Sequence, residues 1–128
     1  MKEDLTARAI AVQANAYAPY SKFPVGASIR MSGRVFDGVN VENASYGLTN
    51  CAERVAIGVA IAAGAKRIRA VAVTAAKLHP IAPCGACRQV IREFADADAP
   101  VASDAEDGTL VVATAGDLLP GAFRLESA

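Results

Sequence analysis

"CAERVAIGVAIAAGAKRIRAVAVTA", residues 51–75, carries a helix and a strand end to end, and that succession sets the class of the fold. Residues 51–63 place Ala, Ile and Val on several faces before Gly64, which predicts a largely buried helix with a glycine stop. "AVAVTA" (70–75) is a short apolar run with strand character. The basic "AKRIRA" (65–70) between them reads as a solvated helix end, where cations are favourable.

On the N-terminal side, Leu5, Ala9, Val12 and Ala16 recur every three to four residues, predicting an amphipathic helix over 2–17 that Pro19 and Pro24 bring to an end. "VGASIRM" (25–31) and "RVFDGVNV" (34–41) flank a glycine-containing turn and read as a hairpin. On the C-terminal side, "LHPIAP" (78–83) is a loop and "CGACRQVIREFAD" (84–96) begins another helix. "PVAS" (100–103) and "TLVVAT" (109–114) flank the turn "DAEDG", and "AGDLLPGAF" (115–123) is a short helix or turn. Strands alternating with helices imply an α/β fold, a central five-stranded mixed sheet with helices on its faces. Repeats, linkers and low-complexity segments are absent, so residues 1–128 read as a single domain.

At 128 residues the chain buries roughly two thirds of its unfolded surface, enough for a core without metal or disulfide staples. Lys plus Arg (13) balance Asp plus Glu (13), and a zero net charge argues against a nucleic-acid partner, whose phosphates call for concentrated basic residues. The first residues do not read as a signal peptide, and no apolar run reaches membrane-spanning length. Three cysteines cannot all pair with one another, which suits a reducing compartment; a cytoplasmic protein is expected.

All three cysteines fall at predicted helix starts: Cys51 opens one helix, and Cys84 and Cys87 open the next. Unpaired N–H groups and positive potential there favour thiolate over thiol. If the two helices lie side by side, their N-termini meet at the edge reached by the strands' carboxyl ends, the usual place for a site in an open α/β sheet. Three thiolates meeting there would supply three ligands to a tetrahedral zinc and leave its fourth position open, as in catalytic rather than structural sites. Glu53 would then stand beside a water whose pKa zinc lowers to about 7, ready to move its proton. Three thiolates leave such a site one negative charge in excess, and Arg54 is placed to offset it by hydrogen bonding to sulfur.

Blander readings compete. Cys51 alone would be a buried structural thiol. Cys84 and Cys87 alone would be a redox C-x-x-C pair, although that motif belongs after a first strand and leaves Cys51 unexplained. The only histidine, His79, could close a structural Cys₃His zinc site, which would leave Glu53 idle. Asn40 and Glu42 could be the polar end of a strand, Phe23 and Phe123 core residues, and Tyr17 and Tyr20 packing.

"CAE" followed by "PCGAC" resembles the zinc-deaminase pattern of cysteine ligands, a glutamate that is not a ligand, and P-C-x-x-C. More specifically, "AYAPYSKFPVGA" (16–27), "GVNVENASYGLTNCAER" (38–54), "PCGACRQVI" (83–91) and "DLLPGAF" (117–123) occur in the order and spacing of the small homotetrameric cytidine deaminase family. The resemblance implies a three-layer α-β-α cytidine-deaminase-like fold and one Zn2+ per subunit held by Cys51, Cys84 and Cys87. It implies hydrolytic deamination of free cytidine and deoxycytidine to the uridine products plus ammonia in pyrimidine salvage. Zinc-bound hydroxide would attack C4, with Glu53 as proton shuttle. Asn40 and Glu42 would hold the ribose hydroxyls, Phe23 would pack on the pyrimidine, and the backbone around Ala52 and Cys84 would meet the base and the leaving amine. Tyr46 and Phe123 would complete sites of neighbouring subunits in a homotetramer. After Phe123 the chain departs from the family pattern, ending in "RLESA". Alternatives are a deaminase of a modified cytosine nucleoside, which "NVENASYG" disfavours, and a nucleic-acid-editing deaminase, which the charge disfavours.

Overall fold

In the computed structural model, which describes residues 2–125, the elements run α1 Lys2–Val12, β1 Val25–Met31, β2 Arg34–Val39, α2 Ala52–Ala62, β3 Ile68–Ala75, α3 Gly85–Phe94, β4 Pro100–Asp104, β5 Leu110–Thr114 and α4 Ala115–Leu118. Short 3-10 turns occupy Gln13–Asn15 and Tyr46–Leu48. The strands form the expected five-stranded mixed sheet in the order β2-β1-β3-β4-β5, with β3 and β4 parallel and the other neighbours antiparallel.

Strand alternation sorts the core into two layers. Ile29, Met31 and Val71 meet Ile57 of α2 and Ile91 of α3 on one face, with Val25, Ala27, Val73 and Ala75 packing around Ala52 beside them. On the other face Ala70 and Ala72 meet Leu5 and Ala9 of α1. Helix, sheet and helices thus make the three expected layers. Two glycines set the spacing between them. A Cβ on Gly26 would run into the Ala9 carbonyl, and one on Gly38 would run into the backbone of Ala52 and Ala56. Gly38 is the floor on which the first turns of α2 rest.

Several expected boundaries shift. Helix α1 gives way to the 3-10 turn at Gln13 instead of running to residue 17, because the backbone of Tyr17 pairs with Asn40 and Glu42 and needs extended geometry. Helix α2 is buried on one face only: Ala52, Glu53, Ala56, Ile57 and Ala60 point inward, whereas Val59 and Ile61 are 48% and 41% exposed. Tyr17 and Tyr20, expected as packing, are both about half exposed. Of the "RLESA" tail, residues 126–128 lie outside the described residues. No helix among the described residues is long and apolar enough to cross a membrane.

Candidate metal centre and active site

Val25 pairs with Ala75, the last residue of β3, and therefore marks the sheet edge at which β3 ends. At that edge the N-termini of α2 and α3 converge. Cys51 is the N-cap of α2 and Cys84 the N-cap of α3; both have extended backbone, and neither sulfur is engaged in capping its own helix. Cys87 follows on the first turn of α3. The three Sγ atoms all lie within 4.8 Å of one another, and Cys51 Sγ stands 3.7 Å from Cys84 Sγ.

That spacing fits zinc. Two thiolates on a tetrahedral ion with bonds of 2.3 Å lie about 3.8 Å apart. The three cysteines are free thiols, not disulfides. His79 is not part of the cluster: its Nδ1 lies 3.2 Å from Asp104 Oδ2. The closed Cys₃His alternative therefore lacks its fourth ligand, and the cluster among the described residues consists of the three sulfurs.

Charge around the sulfurs is strongly uneven. Hydrogen bonding from the Cys87 thiol, aided by Arg54 and Cys84, holds Cys51 below its usual range against burial. Cys87 is pushed far up, first by sharing its proton with Cys51 and then by its burial. A divalent ion bound among the three sulfurs would supply the charge that favours thiolate over thiol. Arg54 Nη2 lies 3.5 Å from Cys51 Sγ and 3.4 Å from the Thr49 carbonyl.

Glu53, on the first turn of α2, is only 4% exposed. Burial pushes its carboxyl up to about 7 and the neighbouring Cys51 adds to the rise, while its own backbone N–H and Arg54 oppose it. A carboxyl held near neutrality can both give and take a proton. Cys51, Ala52, Glu53, Cys84 and Asn40 line a cavity of about 180 Å³, together with Val25, Thr49, Ile81 and Ala82.

Thr49 is shared with an adjoining cavity of about 280 Å³ that also includes Tyr20, Ser21, Glu42, Asn43 and Tyr46. Glu42 Oε1 accepts from the backbone N–H groups of Tyr20 (3.0 Å) and Ser21 (3.1 Å), and its Oε2 accepts from the Ser21 hydroxyl. These bonds, that of the hydroxyl foremost, hold the carboxyl below its usual range. Asn40 is buried; its Oδ1 accepts from Val25 N–H and its Nδ2 donates to the Phe23 carbonyl, both at 2.9 Å. Phe23 packs beside Val25 and Ala52. Tyr46 and Phe123 are 79% and 68% exposed, and Phe123 lines neither cavity.

Sequence reasoning missed Ser21, Thr49, Ile81 and Ala82. Ser21 and Thr49 sit inside the quoted motifs, which was the one signal available for them. Ile81 and Ala82 come to the site only through the path of the 78–83 loop, which a bond from Ile81 N–H to Ser103 Oγ (3.1 Å) ties to β4.

Residues 1–103 match the family model for the cytidine and deoxycytidylate deaminase zinc-binding region. The chain is 47% identical over 126 residues to a cytidine deaminase of Halalkalibacterium halodurans, covering 98% of this chain and 96% of that protein. It is 40% identical over 123 residues to one of Mycobacterium tuberculosis, covering 95% and 89%. The crystal structure of cytidine deaminase from Burkholderia pseudomallei superposes with a TM-score of 0.89 at 49% identity, covering 96% of this chain and 99% of that one.

Proposed function

From its membership of the cytidine deaminase family, a family of hydrolases that carry zinc, we propose that this chain deaminates free cytidine and deoxycytidine to uridine and deoxyuridine, releasing ammonia. The observation that carries the proposal is the juxtaposition of three sulfurs at metal-ligand spacing with the buried Glu53, which lines the same cavity as Cys51 and Cys84.

Cys51, Cys84 and Cys87 would hold the ion, and zinc, when bound, supplies the Lewis acidity that makes a water nucleophilic near pH 7. Glu53 takes one proton of the attacking water and places it on N3 of the pyrimidine. It then takes the proton of the hydroxyl now on C4 and delivers it to the amino nitrogen, which leaves as ammonia while C4 becomes a carbonyl. The buried position of Glu53 on the first turn of α2, two residues from Cys51, keeps bulk water from competing for those protons. Arg54, against Cys51, moderates the excess negative charge of three thiolates. Asn40 and Glu42 face the ribose hydroxyls, Phe23 packs against the ring, and the backbone of Ala52 and Cys84 meets the base and its amino group.

The exposure of Tyr46 and Phe123 supports a homotetramer in which neighbouring subunits complete one another's sites and exclude water from them. The outer face of α2 supports the same assembly. Val59 and Ile61 are exposed beside Gly58, and a Cβ at Gly58 would meet open space. In an isolated helix that glycine costs about 1 kcal/mol relative to alanine; against a second helix its bareness lets backbones approach. A place in cytoplasmic pyrimidine salvage accords with the free thiols and the nucleoside substrate.

The decisive experiment is a panel of cytidine, deoxycytidine, cytosine, dCMP and a cytosine-containing oligonucleotide. Turnover of the two nucleosides is expected. Activity confined to the oligonucleotide would overturn the proposal, and activity confined to cytosine or to dCMP would replace its substrate.

A further inference from the structure

The Ser21 hydroxyl occupies a junction that the proposed chemistry does not use. It donates to Glu42 Oε2 and accepts from Phe23 N–H at 3.1 Å. Glu42 is the residue assigned above to the sugar, and Phe23 the one assigned to the base. One hydroxyl therefore links the two halves of nucleoside recognition, on a loop in which Ser21 itself is exposed and Phe23 half-buried.

A carboxylate on a flexible side chain gains little from a neutral hydroxyl partner unless its direction is set beforehand. Here three donors fix it: two backbone N–H groups occupy Oε1 and Ser21 takes Oε2. Each carboxylate oxygen has two lone-pair directions, so the two N–H groups fill Oε1 and Oε2 keeps one acceptor direction for a sugar hydroxyl. Without the Ser21 bond, Oε2 is free to swing, and Phe23 N–H loses its acceptor within the loop.

We propose that Ser21 is a positioning residue for sugar recognition, aiming the Glu42 carboxylate at the ribose hydroxyls and registering it against Phe23. The proposal rests on the reading of Glu42 as the sugar-holding residue. It predicts that the cost of losing the hydroxyl depends on whether the substrate has sugar hydroxyls to be held.

The test is kcat and KM for cytidine and for 2′,3′-dideoxycytidine with the zinc-loaded wild type, Ser21→Ala, Ser21→Thr and Glu42→Gln. Ser21→Ala is expected to lower kcat/KM for cytidine roughly 10- to 100-fold, the scale of one hydrogen bond to a charged group. The loss should fall mainly on KM, be much smaller for the dideoxy substrate, and be restored largely by Ser21→Thr. Glu42→Gln should show the same substrate dependence. If Ser21→Ala affects both substrates equally, or neither, while Glu42→Gln still discriminates between them, Ser21 has no positioning role and the reading of Glu42 survives. If Glu42→Gln does not discriminate, the reading of Glu42 fails and the proposal falls with it.

Discussion

The sulfur of Cys51 lies 3.7 Å from that of Cys84, although the two residues are 33 positions apart in the chain. They meet because each caps a different helix and the caps face one another across the end of the sheet. Replacing any one of Cys51, Cys84 or Cys87 with Ala is expected to abolish stoichiometric zinc binding and deamination together. His79→Ala should retain both, since His79 stands against Asp104 outside the sulfur cluster. Metal analysis of the purified variants checks this; loss of zinc in His79→Ala would restore the closed-site reading.

Glu53→Gln keeps the size of the side chain and removes its proton traffic. Zinc content should stay near one per chain while kcat falls on the order of 10²- to 10⁴-fold, the range for loss of a general acid–base. Persistent ammonia release from cytidine would show that the shuttle lies elsewhere.

Arg54→Gln removes the cation 3.5 Å from Cys51 Sγ. A loss of roughly 10- to 100-fold in activity, with zinc retained, is expected from a group that tunes a metal ligand. Wild-type turnover in this variant would dismiss the charge-moderating role.

Glu42 offers a pH test. The bonds from Ser21 and Tyr20, with Lys22 nearby, hold its carboxyl below the ordinary range. Sugar holding that depends on the carboxylate is present above the folded pKa and lost as pH falls through it. Removing the Ser21 hydroxyl removes the largest cause of the depression, so in Ser21→Ala the loss should begin at higher pH. The ratio of kcat/KM for cytidine to that for 2′,3′-dideoxycytidine, followed toward acid, isolates this from any loss of zinc; an unchanged acid limb would count against Glu42 as the titrating group.

Gly38→Ala tests how the fold supports the site. The added methyl would overlap the backbone of Ala52 and Ala56, so α2 must lift from the sheet. A loss of about 2 kcal/mol or more is expected, on the order of 5–10 °C in Tm. Activity should fall with it, because Ala52 and Glu53 ride on that turn. Thermal unfolding and kcat measured on the same preparation decide it.

Sequence alone disclosed much of this arrangement, and the physics explains which parts. The stop at Gly64, the hairpin turn and the cysteines at helix starts are local signals, each dictated by backbone geometry or by the positive end of a helix. The metal site could be inferred because convergence of two helix N-termini follows from strand–helix alternation. What stayed hidden depended on partners distant in the chain. The early end of α1 follows from pairing between Tyr17 and the segment after β2, and nothing near residue 13 announces it. The exposed side of α2 misled for another reason: an apolar helix looks equally buried whether its own chain or another covers it. Ser21 went unnoticed because a serine in a loop has no periodicity to betray its bond to Glu42.

Asn40 answers to two masters. Its amide ties Val25 N–H and the Phe23 carbonyl into place from a buried position, and the same side chain is assigned to the sugar. Removing it would strand two backbone groups at about 1–3 kcal/mol each before any substrate arrived. Engineering toward altered sugars therefore has unequal freedom around this pocket: a library at position 40 would be filtered first for chains that fold, whereas an exposed neighbour such as Asn43 would be filtered mainly for what it binds.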